Sequence, residues 1–208
     1  MTNRSADTSQ RKTAIIVGVL ILIAYGTVGS LILESLIIVM ILELISGAAV
    51  VGAAVLMFPI LKPHNKNLTF GYTAIMIIEG VLIIVASIIL LPLIIKAETS
   101  STLLLESRDW IYVIIGYLFG IRFLLISYLL YQSKLVPRFI SVWGFVASIM
   151  MITATLINMM ADSTIIPFIF SHLPLISNEI FLAIWFIVKG FNEDAIMSGV
   201  VKTDINNV

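Results

Sequence analysis

From Thr69 to Ile95 the chain reads TFGYTAIMIIEGVLIIVASIILLPLII, with Glu79 as its only charge. An α-helix rises 1.5 Å per residue, so about 20 such residues cross a hydrocarbon layer ~30 Å thick. Apolar runs of this length recur at about 13 to 33, 36 to 62, 69 to 95, 110 to 132, 139 to 160 and 166 to 190. Inside lipid the backbone must satisfy its own hydrogen bonds, which such segments do as helices. Composition agrees: 60% of residues are hydrophobic and 12% are charged, against about 25% charged in a soluble domain. The expected fold is all-α, a polytopic transmembrane bundle of six spans. Residues 1 to 12 form a polar, disordered cytoplasmic leader, 13 to 192 the transmembrane domain and 193 to 208 a cytoplasmic tail.

The leader MTNRSADTSQRK precedes an apolar segment too long for a secretory signal, and no small-x-small cleavage site follows it, so the first span is read as uncleaved. Between the first two spans only Gly29, Ser30, Glu34 and Ser35 offer turn material. One continuous helix there would run roughly 75 Å, far beyond a bilayer, so a tight turn near Glu34 is expected. Pro63 and Pro137 suit short connections between antiparallel helices. Pro167 and Pro174 either kink the sixth span or break off a short interfacial segment before it.

Lysine and arginine set orientation. Arg4, Arg11, Lys12, Lys62, Lys66, Lys134, Arg138, Lys189 and Lys202 fall on one side, whereas only Lys96 and Arg108 fall on the other, in the loop KAETSSTLLLESRD. Both termini are therefore expected in the cytoplasm, with the protein in the cell membrane. Basic and acidic residues number twelve each, with no basic stripe to bind nucleic acid. Cysteine is absent, which excludes thiolate nucleophiles and cysteine-ligated clusters. The two histidines, His64 and His172, lie in or near loops on opposite sides, so no paired-histidine haem or metal centre can form within the spans. No metal and no cofactor is expected.

Ionisable groups inside the spans are few: Glu43, Glu79, Arg122 and Glu179. A charge at mid-bilayer costs on the order of 2.5 to 3.5 kcal/mol, so each must face a partner or a wet cavity. Counted from the nearest flanking charges, Glu79 and Arg122 lie about 20 Å deep and Glu179 about 15 Å. All three reach the midplane, where one guanidinium can pair with one or both acids. Glu43 counts to about 28 Å from Lys62, near the outer surface with Glu34, where both are expected to be solvated. The GYLFG segment places Gly116 and Gly120 at a helix-packing spacing, with Arg122 projecting roughly opposite. SGAAVVGAA, 46 to 54, is a second small-residue surface, read as intramolecular packing.

Two functional readings stand. In one, Glu79, Arg122 and Glu179 line a cavity that binds or transports a small solute with proton coupling. In the other, the protein is a non-catalytic structural or accessory membrane protein whose cluster only fixes helix packing, as buried ion pairs can. An enzyme using Glu79 and Glu179 as acid and base is the weakest of the alternatives. The segments MFPILKPHNKNL (57 to 68), LLYQSKLVPRFISVWG (129 to 144) and NEIFLAIWFIVKGFN (178 to 192) resemble the recurring blocks of domain-of-unknown-function family 4386, small bacterial and archaeal integral membrane proteins. That resemblance implies fold and membrane location and no activity, substrate or cofactor. It also implies acids at Glu79 and Glu179, whereas Arg122 and Glu43 depart from its pattern.

Overall fold

The computed structural model describes residues 2–25, 33–96, 101–161 and 166–198. Seven helices follow one another: α1 Thr2–Ala24, α2 Leu36–Leu61, α3 Lys66–Ile88, α4 Leu91–Ile94, α5 Ser101–Ser133, α6 Arg138–Met160 and α7 Phe168–Val188. Residues 193–198 add a further helical turn, and no strand occurs among the described residues. Five segments are long and apolar enough to cross a membrane: Leu36–Leu61, Lys66–Ile94, Ser101–Ser133, Arg138–Met160 and Phe170–Val188. The chain is thus a multi-pass membrane protein by helix hydropathy. Of the first expected span, 13 to 33, part lies outside the described residues, as does most of the turn expected before Glu34.

Local chemistry sets the boundaries. Asn65 caps α3, its side chain accepting from the Leu68 N–H at 3.2 Å, which satisfies one of the orphan donors of the first turn. Pro137 and Pro167 precede α6 and α7, where proline ends what comes before and needs no donor. Two expectations are corrected. The leader is helical from Thr2, because the polar residues extend the first turns of α1. The stretch TLLLESRDW belongs to α5 and is no loop. Of the two courses left open at Pro174, a separate segment is not seen: α7 runs through it.

Each long helix packs on two neighbours, and the packing closes in the order α1, α2, α3, α5, α6, α7 and back to α1. The result is a ring of six helices. On α2, Ile37, Ile41 and Ile45 are exposed on the outside, while Glu43, Ser46, Val50, Met57 and Leu61 are buried. This is the i, i+3/i+4 separation of faces expected of a helix between lipid and protein. Lipid is as apolar as leucine, so the inward face gains mainly from close packing. Where α2 meets α3, a Cβ on Gly47 would come within 2.7 Å of the Gly80 carbonyl oxygen, and one on Gly80 within 2.8 Å of the Gly47 oxygen. The two backbones therefore touch at the level of Glu79. Ring closure is polar at one end: the Arg11 guanidinium donates to the carbonyls of Phe186, Ile187 and Val188 at 3.3, 2.8 and 2.8 Å, taking up the unpaired acceptors at the C-terminus of α7.

The inside of the ring is not uniform. Toward the end carrying Lys62, Lys134 and Lys189, hereafter the basic end, it is plugged by Leu61, Phe123, Ile126, Leu130 and Phe186, all buried. Toward the opposite end it is hollow.

Candidate functional site

A cavity of about 570 Å³ occupies the hollow half, and all six long helices contribute to its wall. Its floor is polar. Arg122 comes from α5, Glu79 from α3 and Glu179 from α7, and each is buried, at 4, 3 and 6% exposed. The three residues that the sequence places at one depth are in contact. Arg122 Nε lies 2.9 Å from Glu79 Oε2, and Nη1 lies 3.3 Å from Glu179 Oε1. Arg122 Nη2 also donates to Glu79 Oε1, at 3.5 Å. The 2.9 Å approach is an ion contact without the alignment of a hydrogen bond, since neither atom has a hydrogen-bond partner. The rings of Phe119 and Phe123 lie 4.8 and 4.7 Å from the guanidinium carbon, so the cation is held by π faces as well as by carboxylates.

A fourth floor residue is one that sequence reasoning misses. Tyr25, at the end of α1, donates its hydroxyl to Glu179 Oε2 at 2.6 Å, a short charge-assisted bond. Glu179 is thereby gripped on both oxygens, by α5 and by α1. A tyrosine deep in the first apolar run is the available signal, because a phenol in lipid seeks a polar partner.

Glu43 is corrected most strongly. It is 1% exposed, and its Oε1 is paired with Arg108 Nη2. The Arg108 guanidinium stacks on Tyr112, 4.9 Å from ring centre to Cζ. Glu43, Arg108, Asp109, Tyr112 and His172 line the cavity away from its floor. Arg108 and Arg122 stand roughly 21 Å apart along the α5 axis, so one cavity carries two tiers of charge. The expected loop around Arg108 is helix instead, because the start of α5 hides in a stretch of mixed polarity.

Gly116 and Gly120 do not act as a pair. A Cβ on Gly120 would fall 2.7 Å from Ile152 Cγ1 of α6, whereas one on Gly116 would meet nothing within 4 Å. Gly116 lines the cavity together with Arg122 and does not face away from it. Asn158 and Asn178 tie helices: Asn158 exchanges two bonds with the Ile166 backbone, at 2.9 and 2.8 Å, and Asn178 Nδ2 donates to the Ile140 carbonyl at 2.9 Å. Among the described residues no group of three His, Asp or Glu side chains is placed to hold a metal ion.

The charges of the cavity do not cancel. Among the described residues that line it, Glu43, Glu79, Asp109 and Glu179 stand against Arg108 and Arg122, with His172 beside the upper tier. At the floor one guanidinium serves two carboxylates, so the cluster is neutral only with one proton or one further cation bound. Such an arrangement can hold a charge that arrives from outside, or can exist purely as a register device.

No curated protein and no solved structure matches the chain. A family model described as Domain of unknown function (DUF4386) matches residues 26–190, a span that includes Glu79, Arg122 and Glu179 and begins one residue after Tyr25. The chain, a multi-span membrane protein with a buried Glu/Arg salt-bridge network, belongs to the DUF4386 family.

Proposed function

We propose that the protein binds a small solute of cationic character in the half-open ring, with Glu179 and Glu79 as the acceptors and a proton as the alternative occupant. The observation that carries this reading is the coincidence of a cavity of about 570 Å³ with an excess of carboxylate over guanidinium on its floor. Small-molecule pockets occupy about 300 to 1,000 Å³ and combine apolar walls with a few convergent polar groups. Here the walls are Leu20, Val50, Met76, Ile83 and Met151. In the membrane the reading takes six spans, with α1 as the first, and both termini in the cytoplasm of a plasma-membrane protein. Lys62, Lys66, Lys134, Arg138 and Lys189 gather at the plugged end, which the positive-inside rule assigns to the cytoplasm. The cavity then faces outward, and exchange of solute for proton at Glu179 would make it a carrier.

The accessory reading draws on a different observation: the three floor residues are at most 6% exposed, as a sealed register device would be. Because the chain has no cysteine, one experiment separates the two. Gly116→Cys in proteoliposomes should react with impermeant methanethiosulfonates from the outer side only, and faster with a cationic than with an anionic reagent. Glu179→Gln in that background should reduce the cationic preference. Labelling from neither side at any rate above that of Phe123→Cys would overturn the solute reading in favour of the accessory one.

A further inference from the structure

A second pocket, also of about 570 Å³, lies outside the ring at the basic end. Its walls come from the α5–α6 connection and the end of α7. Lys134, Arg138 and Lys189 line it, all exposed, together with Leu135, Trp185 and Phe191. No acid lines it. The nearest in sequence, Glu193 and Asp194, sit in the turn beyond Asn192, and Glu193 is itself engaged.

The walls are held in place. Lys134 and Gly190 both adopt left-handed backbone, at φ 59 and 79, so each strand of chain turns back sharply at the pocket. The Asn192 N–H donates to the Leu135 carbonyl at 3.0 Å, and Asn192 Nδ2 donates to the Lys134 carbonyl at 3.3 Å. These bonds clamp the two connections together. Leading from the pocket along the outside of α6 and α7 is a row of rings. Phe181 packs on Trp185, Phe139 and Trp143 with centroids 6.5, 5.8 and 6.0 Å apart. Phe139, Trp143 and Phe181 are exposed at 55, 36 and 37%.

Three cations around a rigid concavity select a phosphate, and an aromatic lane running from it into the apolar belt selects an acyl chain. We propose that this pocket binds the headgroup of an anionic phospholipid, whose chain lies in the Phe139–Trp143–Phe181–Trp185 groove. Inorganic phosphate shares the head chemistry but leaves the groove unused. Basic pockets on the cytoplasmic side of helix bundles commonly take such headgroups.

The test uses the full chain with Trp110→Phe and Trp143→Phe, so that Trp185 alone reports. Vesicles contain phosphatidylglycerol or phosphatidylcholine brominated on the acyl chain. Trp185 should be quenched more strongly by brominated phosphatidylglycerol. Each of Lys134→Gln, Arg138→Gln and Lys189→Gln should lower the phosphatidylglycerol preference about fivefold, which corresponds to about 1 kcal/mol per basic residue near the surface. Lys62→Gln with Lys66→Gln removes charge from the same end but outside the pocket and should leave the preference unchanged. Equal quenching by the two lipids, or equal loss in the control variant, overturns the site. Abolition of the preference by added inorganic phosphate overturns the lipid assignment in favour of a soluble anion.

Discussion

Replacing Arg122 with leucine removes the one cation on which two buried carboxylates converge. It breaks the ion pairs and hydrogen bonds that join the guanidinium to Glu79 and Glu179 at 2.9, 3.3 and 3.5 Å, and the acids left behind are 3 and 6% exposed. Breaking a buried pair by deleting one partner costs about 3–5 kcal/mol, because the survivor stays desolvated without compensation. Two acids share that penalty here, and Tyr25 relieves only one of them, so the destabilisation should reach the upper part of the range. Glu179→Gln leaves one guanidinium with one carboxylate and should cost less, about 1.5–3 kcal/mol for the hydrogen bonds to charge. Arg122→Leu combined with Glu79→Gln and Glu179→Gln should restore most of the stability, since a neutral core of similar shape avoids the desolvation penalty. Equilibrium unfolding in mixed micelles measures all three. If Arg122→Leu costs less than about 1 kcal/mol, or if the triple variant is no more stable than the single one, the cluster does not carry the energy its geometry implies.

Gly80→Ala should destabilise by about 1–3 kcal/mol through overpacking, because its Cβ would meet the Gly47 carbonyl oxygen at 2.8 Å. Gly116→Ala should be neutral or gain about 0.5–1 kcal/mol, as nothing lies within 4 Å; the same micelle assay compares them. Asn178→Ala should cost about 0.5–1.5 kcal/mol by removing the hydrogen bond that its side chain donates to the Ile140 carbonyl where α6 meets α7. Faster amide exchange at the start of α6 would report that weakening.

Depth in a bilayer is legible because flanking charges mark the surface and the helix rise is constant. That is why spacing alone brings Glu79, Arg122 and Glu179 together, and why α2, α6 and α7, and α3 taken with α4, fall close to their expected limits. Glu43 fails the same count for a physical reason. Depth alone says nothing of what stands beside a residue, and α5 extends its helix far enough past the expected boundary to bring Arg108 to Glu43. The glycine spacing fails differently. GYLFG permits a close approach without requiring one, and at Gly116 the neighbouring helix stands off to leave the cavity. Tyr25 stands out in the sequence only as a polar group in an apolar run, and its partner is not legible there because it is set by ring closure between α1 and α7.

That closure bears on how the molecule is made. Arg11 seeks carbonyls of Phe186, Ile187 and Val188, which leave the ribosome after every other helix of the ring. Until they arrive, α1 has only α2 to lean on, and the inner faces of the other helices stay open to lipid. Closure of the circle therefore waits for α7, and a nascent chain stalled before it would form an open crescent in which Arg122 and Tyr25 lack their Glu179 partner.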